Sequence, residues 1–298
     1  MKGEASSAAP LTGKTCLVAG ASRGLGRGIA RGLAAAGATV ICTGRSSEAG
    51  PRIDNRLETF EDTARLAEMA GSPSGGRGFP YRCDHTSERE VDELVSWALR
   101  RFGRIDACIM SVWGGNEGHD GTRNADGSRY GTPFWRRPVG MLETTVGTAL
   151  TAQLLTARAV APAMVSARRG VFITISFDTS QGYLGDVFHD LAKAAMNRLG
   201  LALSEELKSH GVTALMLSPG FVRTERVVDA GLGGEATESP LYAGRACAAL
   251  LADPGIARHG GKVLHAGDLA QIYGFQDEDG NQPAKFDPFI APVRMKTT

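Results

Sequence analysis

His189 and Lys193 stand four residues apart in the stretch VFHDLAK, residues 187–193, which puts both side chains on one face of a helix. An unperturbed imidazole titrates near pH 6.5. A neighbouring ammonium disfavours a second positive charge, so Lys193 is expected to keep His189 mainly neutral at pH 7. A neutral imidazole is a competent base and a poor reservoir of protons. A positioned acid or base of this kind contributes roughly 10²–10⁴-fold to a reaction. Asp178, Asp186 or Asp190 would restore proton affinity if one of them contacted the ring.

A second group of residues suits an anion. The stretch VAGASRGLGRGIA places Gly20, Gly24 and Gly26 between a short apolar run and a helical pattern. Glycines let the chain turn tightly and bring backbone N–H groups close to a pyrophosphate, which rests on the positive helix N-terminus. Directly after the first strand of an alternating chain, the motif is a strong signal for a dinucleotide. Its expected cofactor contacts are Gly20, Ser22, Arg23, Gly24, Leu25 and Gly26. The next apolar run ends in CTGRSS, with Arg45 and Ser46 where NAD-selective sites carry a carboxylate for the ribose 2′-OH. Arg23 and Arg45 suit a 2′-phosphate through charge-assisted bonds, so NADP(H) is expected over NAD(H).

Strand-like apolar runs alternate with amphipathic helical stretches from residue 14 to about 268. That order predicts an α/β fold: one Rossmann-type, doubly wound parallel sheet of about seven strands, with helices on both faces. Continuous apolar runs such as VFITI fit strands buried on both sides. No repeat or low-complexity linker divides the chain, so residues 1–298 read as a single domain. Two regions exceed an ordinary connection: residues 45–76, a polar loop leading into a helix, and residues 113–140. Residues 113–140, rich in Gly, Asp and Arg but carrying Trp113, Tyr130, Phe134 and Trp135, are expected to cover a substrate pocket. Residues 223–242 suit a movable lid.

Composition narrows the partners. Thirty-three basic and 32 acidic residues give a net charge of +1, with no long run of one sign. Nothing advertises nucleic acid or a membrane surface, and no apolar run approaches ~18 residues. The five cysteines form no C-x-x-C pair and read as buried free thiols of a reducing compartment. A soluble cytoplasmic protein acting on a small molecule is the expectation. His119, His210, His259 and His265 show no metal-ligand spacing, so no metal site is expected. The nucleophile elbow G-x-S-x-G is absent.

The spacing Gly-x-x-x-Gly-x-Gly, with CDHT after the third strand and SPGFVRTE after the sixth, resembles the short-chain dehydrogenase/reductase family over about residues 12–270. GRSS, VWGG, TPFW, HDLAK and LYAGRACAALLADP resemble a branch of it near the DHRS-one-like group. The resemblance implies that Asp84, supported by His85, holds the adenine edge. It implies that Pro219, Gly220, Val222 and Thr224 line the nicotinamide carboxamide, with Ser111 and Lys193 as further cofactor contacts. It also implies a homodimer or homotetramer. In that family a serine holds the substrate oxygen, a tyrosine exchanges its proton, a lysine one turn later supports the tyrosine, and an asparagine anchors a water chain. Here Lys193 is kept and His189 takes the tyrosine position. Ser176 lies thirteen residues before His189 and suits the serine position, although Phe177 could equally occupy it. Ala149 falls at the asparagine position, and Met110 and Ser111 replace the asparagines after strand four.

Three functions remain open on the sequence. In the first, His189 replaces tyrosine as acid/base in an NADP(H)-dependent oxidoreductase interconverting a carbonyl and an alcohol. In the second, the fold performs non-redox chemistry such as cyclisation, dehydration or isomerisation. In the third, the chain binds NADP(H) without catalysis. Tyr183, ten residues before Lys193, is a weaker substitute acid.

Overall fold

Glycine punctuation and period-two apolar runs become seven parallel strands in the computed structural model of the chain. The structure describes residues 9–115, 117, 123, 127–129, 132–183, 185–232, 234 and 237–287. The strands are β1 (Thr15–Ala19), β2 (Thr39–Gly44), β3 (Arg77–Arg82), β4 (Ala107–Met110), β5 (Gly170–Ile175), β6 (Val212–Ser218) and β7 (Val263–His265). Their order across the sheet is β3-β2-β1-β4-β5-β6-β7. The sequence order reverses between β1 and β4, and such a switch point opens a crevice at the carboxyl ends of the strands.

Alternate residues of each strand feed two cores. Cys16, Val18, Val40 and Cys42 point to one side, where they meet α1 (Gly24–Ala35), α7 (Pro240–Ala252) and α8 (Ala266–Tyr273). Leu17, Ile41, Cys108 and Phe172 point to the other, against α3 (Glu88–Phe102) and α4 (Thr148–Ala167). Burying one such side chain contributes about 1.5–3 kcal/mol, which is why a one-residue slip is not tolerated. All five cysteines are free and buried in these layers. Among the described residues no helix is long and apolar enough to cross a membrane.

The helices start where their end residues permit. Thr59 and Asp62 form a reciprocal cap on α2 (Phe60–Gly71), and Ser87 accepts from the Glu90 N–H to cap α3. Asp186 caps α5 (Val187–Leu207) by accepting from the N–H groups of Phe188 and His189, both at 3.0 Å. The first turn of α5 is therefore fixed by a carboxylate directly beside His189. Helix α1 lies unusually close to α7: a Cβ on Gly28 would sit 2.1 Å from the Pro240 carbonyl oxygen. This crossing holds the start of α1 against the segment that precedes α7.

That segment is shorter than expected. The lid predicted over 223–242 ends before Pro240, because Pro240–Tyr242 begin α7 and Tyr242 is fully buried. Earlier in the same stretch lies the short helix α6 (Glu225–Asp229). The chain after α8 also packs on its own fold: the Tyr242 hydroxyl donates to the Pro283 carbonyl at 2.9 Å, and Gln282 donates to those of Ala270 and Phe275. His119 and Tyr130 of the 113–140 insertion lie outside the described residues.

Candidate active site

The glycine motif forms the turn its chemistry requires. Gly20 and Gly24 have φ of +82° and +55°, a region that favours glycine, and a Cβ on Gly26 would lie 2.0 Å from the Gly20 carbonyl oxygen. The N-terminus of α1 carries an anion of the protein's own. The Glu225 carboxylate accepts from the Gly24 N–H at 2.9 and 3.2 Å and lies 4.0 Å from the Arg27 guanidinium. A helix N-terminus favours a negative group of this kind.

Gly20, Ser22, Arg23, Arg45, Ser46, Asp84 and His85, all expected cofactor contacts, line one cleft. Leu25 packs into the core beneath the motif, and the Ser111 N–H donates to Ala19 at the end of β1. Arg45 pairs with Glu117 of the insertion and lies 3.9 Å from Asp84. Acids thus lie beside Arg45, supplied from outside β2. Arg23 donates to the Ile53 carbonyl at 3.2 Å; burial, then the nearby Arg226, lowers its proton affinity. The Ser46 hydroxyl is committed to the Ile53 N–H. For Asp84 burial acts upward, but hydrogen bonds from Thr86 and the Arg45 charge hold its carboxyl below the usual range. His85 is buried between the hydroxyls of Thr43 and Thr156, at 2.7 and 2.8 Å, and burial pushes it to about 4. It is a neutral brace between β2 and α4.

The proton-transfer half lies at the start of α5. Trp113 joins the two halves: it lines the cofactor cleft, meets the His189 ring edge-on at 5.5 Å, and carries the Lys193 Nζ 4.1 Å above its indole. Burial pushes His189 down to about 4, with the Lys193 charge acting the same way and Asp186 opposing. Burial also lowers Lys193 to about 8. At pH 7 the proton of this pair therefore sits on the lysine. Among the described residues no carboxylate hydrogen-bonds the imidazole. Asp178 binds His265 and Ser180, and Asp186 is committed to the cap and to Arg137.

Ser176 is buried at the end of β5, but its hydroxyl donates to the main-chain oxygen of Lys193 at 3.3 Å. The next residue, Phe177, places its ring 6.2 Å from that of His189. Of the two positions the sequence left open, Phe177 is the one beside the imidazole, and Ser176 ties β5 to α5. Ala149, fully buried in α4, offers no hydrogen bond. Tyr183 is 60 % exposed on the loop before α5.

Pro219, Gly220, Val222 and Thr224 belong to the loop that follows β6. Val222 pairs with Glu238, and the Thr224 methyl lies 3.4 Å from where a Gly24 Cβ would stand. Three features here carried no signal in the sequence. Glu238 is buried against Gly220, and burial, with Asp277 nearby, raises it to about 8. Phe286 reaches back from the chain end, its ring 6.4 Å from Phe177. Arg137 of the insertion is buried on Asp186. Only long-range packing brings these groups together. No cluster of three metal-ligating groups occurs among the described residues.

The family model described as short chain dehydrogenase matches residues 14–232. Dehydrogenase/reductase SDR family member 1 of Mus musculus is 33% identical over 293 residues, covering 93% of this chain and 87% of that protein. Its Homo sapiens counterpart is 33% identical, covering 92% and 86%. Among solved structures, a metagenomic short-chain oxidoreductase in complex with NADP superposes with a TM-score of 0.64 at 23% identity, covering 86% of this chain and 98% of that one. A 7α-hydroxysteroid dehydrogenase complexed with NADH and 7-oxo glycochenodeoxycholic acid gives 0.66 at 22%, covering 91% and 96%. A Rossmann-type sheet with this glycine cradle, matched by the family model over most of its length, identifies the chain as a member of the short-chain dehydrogenase/reductase family of oxidoreductases.

Proposed function

We propose that the protein is an NADP(H)-dependent oxidoreductase that interconverts a carbonyl and an alcohol on a small, partly apolar molecule, with His189 in place of the usual tyrosine. The observation that carries this reading is the position of Trp113, shared between the dinucleotide cleft and the His189–Lys193 pair. The residues present fit the cofactor: the motif glycines leave room for a pyrophosphate, Gly24 already binds an anion, and Arg23 and Arg45 are within the same cleft.

The bound cofactor would supply a hydride to the carbonyl carbon. The chain does the rest. Trp113, Phe177 and Phe286 offer apolar faces around His189 and would exclude water from the reacting group. As the carbonyl π bond breaks, its oxygen would take the N–H proton of the neutral ring while the ring's other nitrogen takes one from the Lys193 ammonium, a relay that requires the two side chains to come into contact when substrate binds. In the reverse direction the neutral ring accepts the alcohol proton. Since Lys193 titrates at about 8, reduction weakens as pH rises through that value. Ser176 acts in this scheme by holding the backbone of α5. The free cysteines and the family resemblance support a cytoplasmic homodimer or homotetramer.

Fluorescence titration with NADPH and NADH tests the cofactor half. Wild type is expected to prefer NADPH, and Arg45→Ala to weaken NADPH by about tenfold or more with little effect on NADH. Equal binding of the two nucleotides by wild type would overturn the 2′-phosphate assignment. The same titration reads the Glu225 contact. Glu225→Gln removes a competing anion worth about 1 kcal/mol at a helix N-terminus, so NADPH should bind about fivefold more tightly. Unchanged or weaker binding would mean that Glu225 does not compete for the cradle.

Non-redox proton transfer is the second reading. It is favoured by Phe177 beside His189, by the Ser176 hydroxyl turned to the backbone, and by Ala149.

A further inference from the structure

Arg137 lies far from the motifs that define the family, yet it is the most buried cation near the reacting groups. Its side chain is 1% exposed, its Nη1 is 2.5 Å from an Asp186 carboxylate oxygen, and its guanidinium stacks 4.6 Å above the Phe188 ring. The other Asp186 oxygen accepts from the N–H groups of Phe188 and His189. One carboxylate thus receives the aromatic insertion on one side and the first turn of the α5 helix on the other.

We propose that Arg137 is a positioning residue: by neutralising and fixing Asp186, the insertion sets both the aim of the His189 ring and the net charge that the ring feels. This deepens the reading of His189 as acid/base and rests on it. The charged groups around the ring are Lys193, one turn later on α5, and Asp186 at its cap. Asp190 follows on the same helix, and Arg137 is the one contributed by the insertion. Trp113 and Phe177, from the loops after β4 and β5, are uncharged. With Arg137 in place, Asp186 is paired and its pull on a ring proton is blunted. With Arg137 withdrawn, a bare carboxylate would remain at the cap and favour the imidazolium. Loss of the Arg137–Asp186 pair and protonation of His189 are then linked.

The test is a titration of histidine Cε1 signals by NMR on the full chain, with the His189 signal assigned by its loss in His189→Gln. Arg137→Gln should raise the His189 midpoint by about one pH unit. Asp186→Asn, which keeps a capping side chain, should leave it at or below the wild-type value, because the carboxylate that favours a proton on the ring is gone. The double variant should show no rise, and Arg137→Lys should stay near wild type. A merely structural role would loosen the pocket in both single variants and move both midpoints upward together, which would overturn the proposal. No shift in a folded Arg137→Gln protein would do the same. If that variant fails to fold, a rise in Asp186→Asn alone is enough to sink it. The titration needs no turnover, so it stands apart from the reductase reading, which fails separately if no hydride is transferred.

Discussion

Replacing His189 by glutamine is expected to lower the rate of carbonyl reduction by roughly 10²–10⁴-fold while NADPH binds as in wild type. The size follows from what a positioned acid or base contributes, and the selectivity from where His189 stands. Its ring faces Trp113 and Phe177, whereas the groups expected to hold phosphates lie at the start of α1 and the end of β2. Glutamine keeps the polarity and much of the volume but neither takes nor gives a proton near neutral pH. Steady-state kcat with an apolar ketone and a parallel NADPH titration separate the two effects. A variant with near wild-type turnover would assign the proton to Lys193 or to another group. Loss of binding together with turnover would make His189 a structural residue.

The second large effect is expected at Gly26. An alanine there places a methyl carbon 2.0 Å from the Gly20 carbonyl oxygen, which is backbone and cannot swing aside. Gly20 is itself confined, since a Cβ on it would meet the Val112 main-chain nitrogen at 2.8 Å. Relief requires moving the turn or the start of α1, and both form the phosphate cradle. Gly26→Ala should therefore lose measurable NADPH binding and cost about 3 kcal/mol of stability, read as a lowered thermal midpoint. Wild-type binding and an unchanged midpoint would mean that the turn has room that the close approach denies.

The sheet was legible because its signals are local. Strands of three to seven residues, glycine turns and capped helices repeat along the chain, and each reports on its neighbours only. The glycine turn was legible for the same reason, since Gly20, Gly24 and Gly26 are close in sequence and sit at a fixed place in the topology. What escaped notice depends on contacts between distant segments. Glu225 reaches Gly24 across 201 residues, and Arg45 meets Glu117 across 72. Phe286 returns from the chain end to Phe177. The Ser176 hydroxyl shows a finer limit. Spacing allowed either Ser176 or Phe177 at the substrate position, and only the direction of the side chain decides between them. The lid boundary moved for a simple reason. Pro240 is well suited to the first turn of a helix, so the polar run before it ends there.

The pH response ties these observations to the mechanism. Both members of the acid/base pair are lowered by burial, to about 4 for His189 and about 8 for Lys193. Opening the pocket would bring both back toward their ordinary values. Proton affinity at His189 and Lys193 therefore depends on their burial, to which Trp113 and Phe177 contribute aromatic faces.

The most direct test of the central claim is the fate of a deuteride carried at C4 of NADPH, followed by mass spectrometry in the products of a panel of apolar ketones. The account predicts one deuterium on the new carbinol carbon with wild type, and a strongly reduced yield with His189→Gln. A product formed without deuterium and without net redox change would contradict it, and would place His189 in the non-redox chemistry of the second reading.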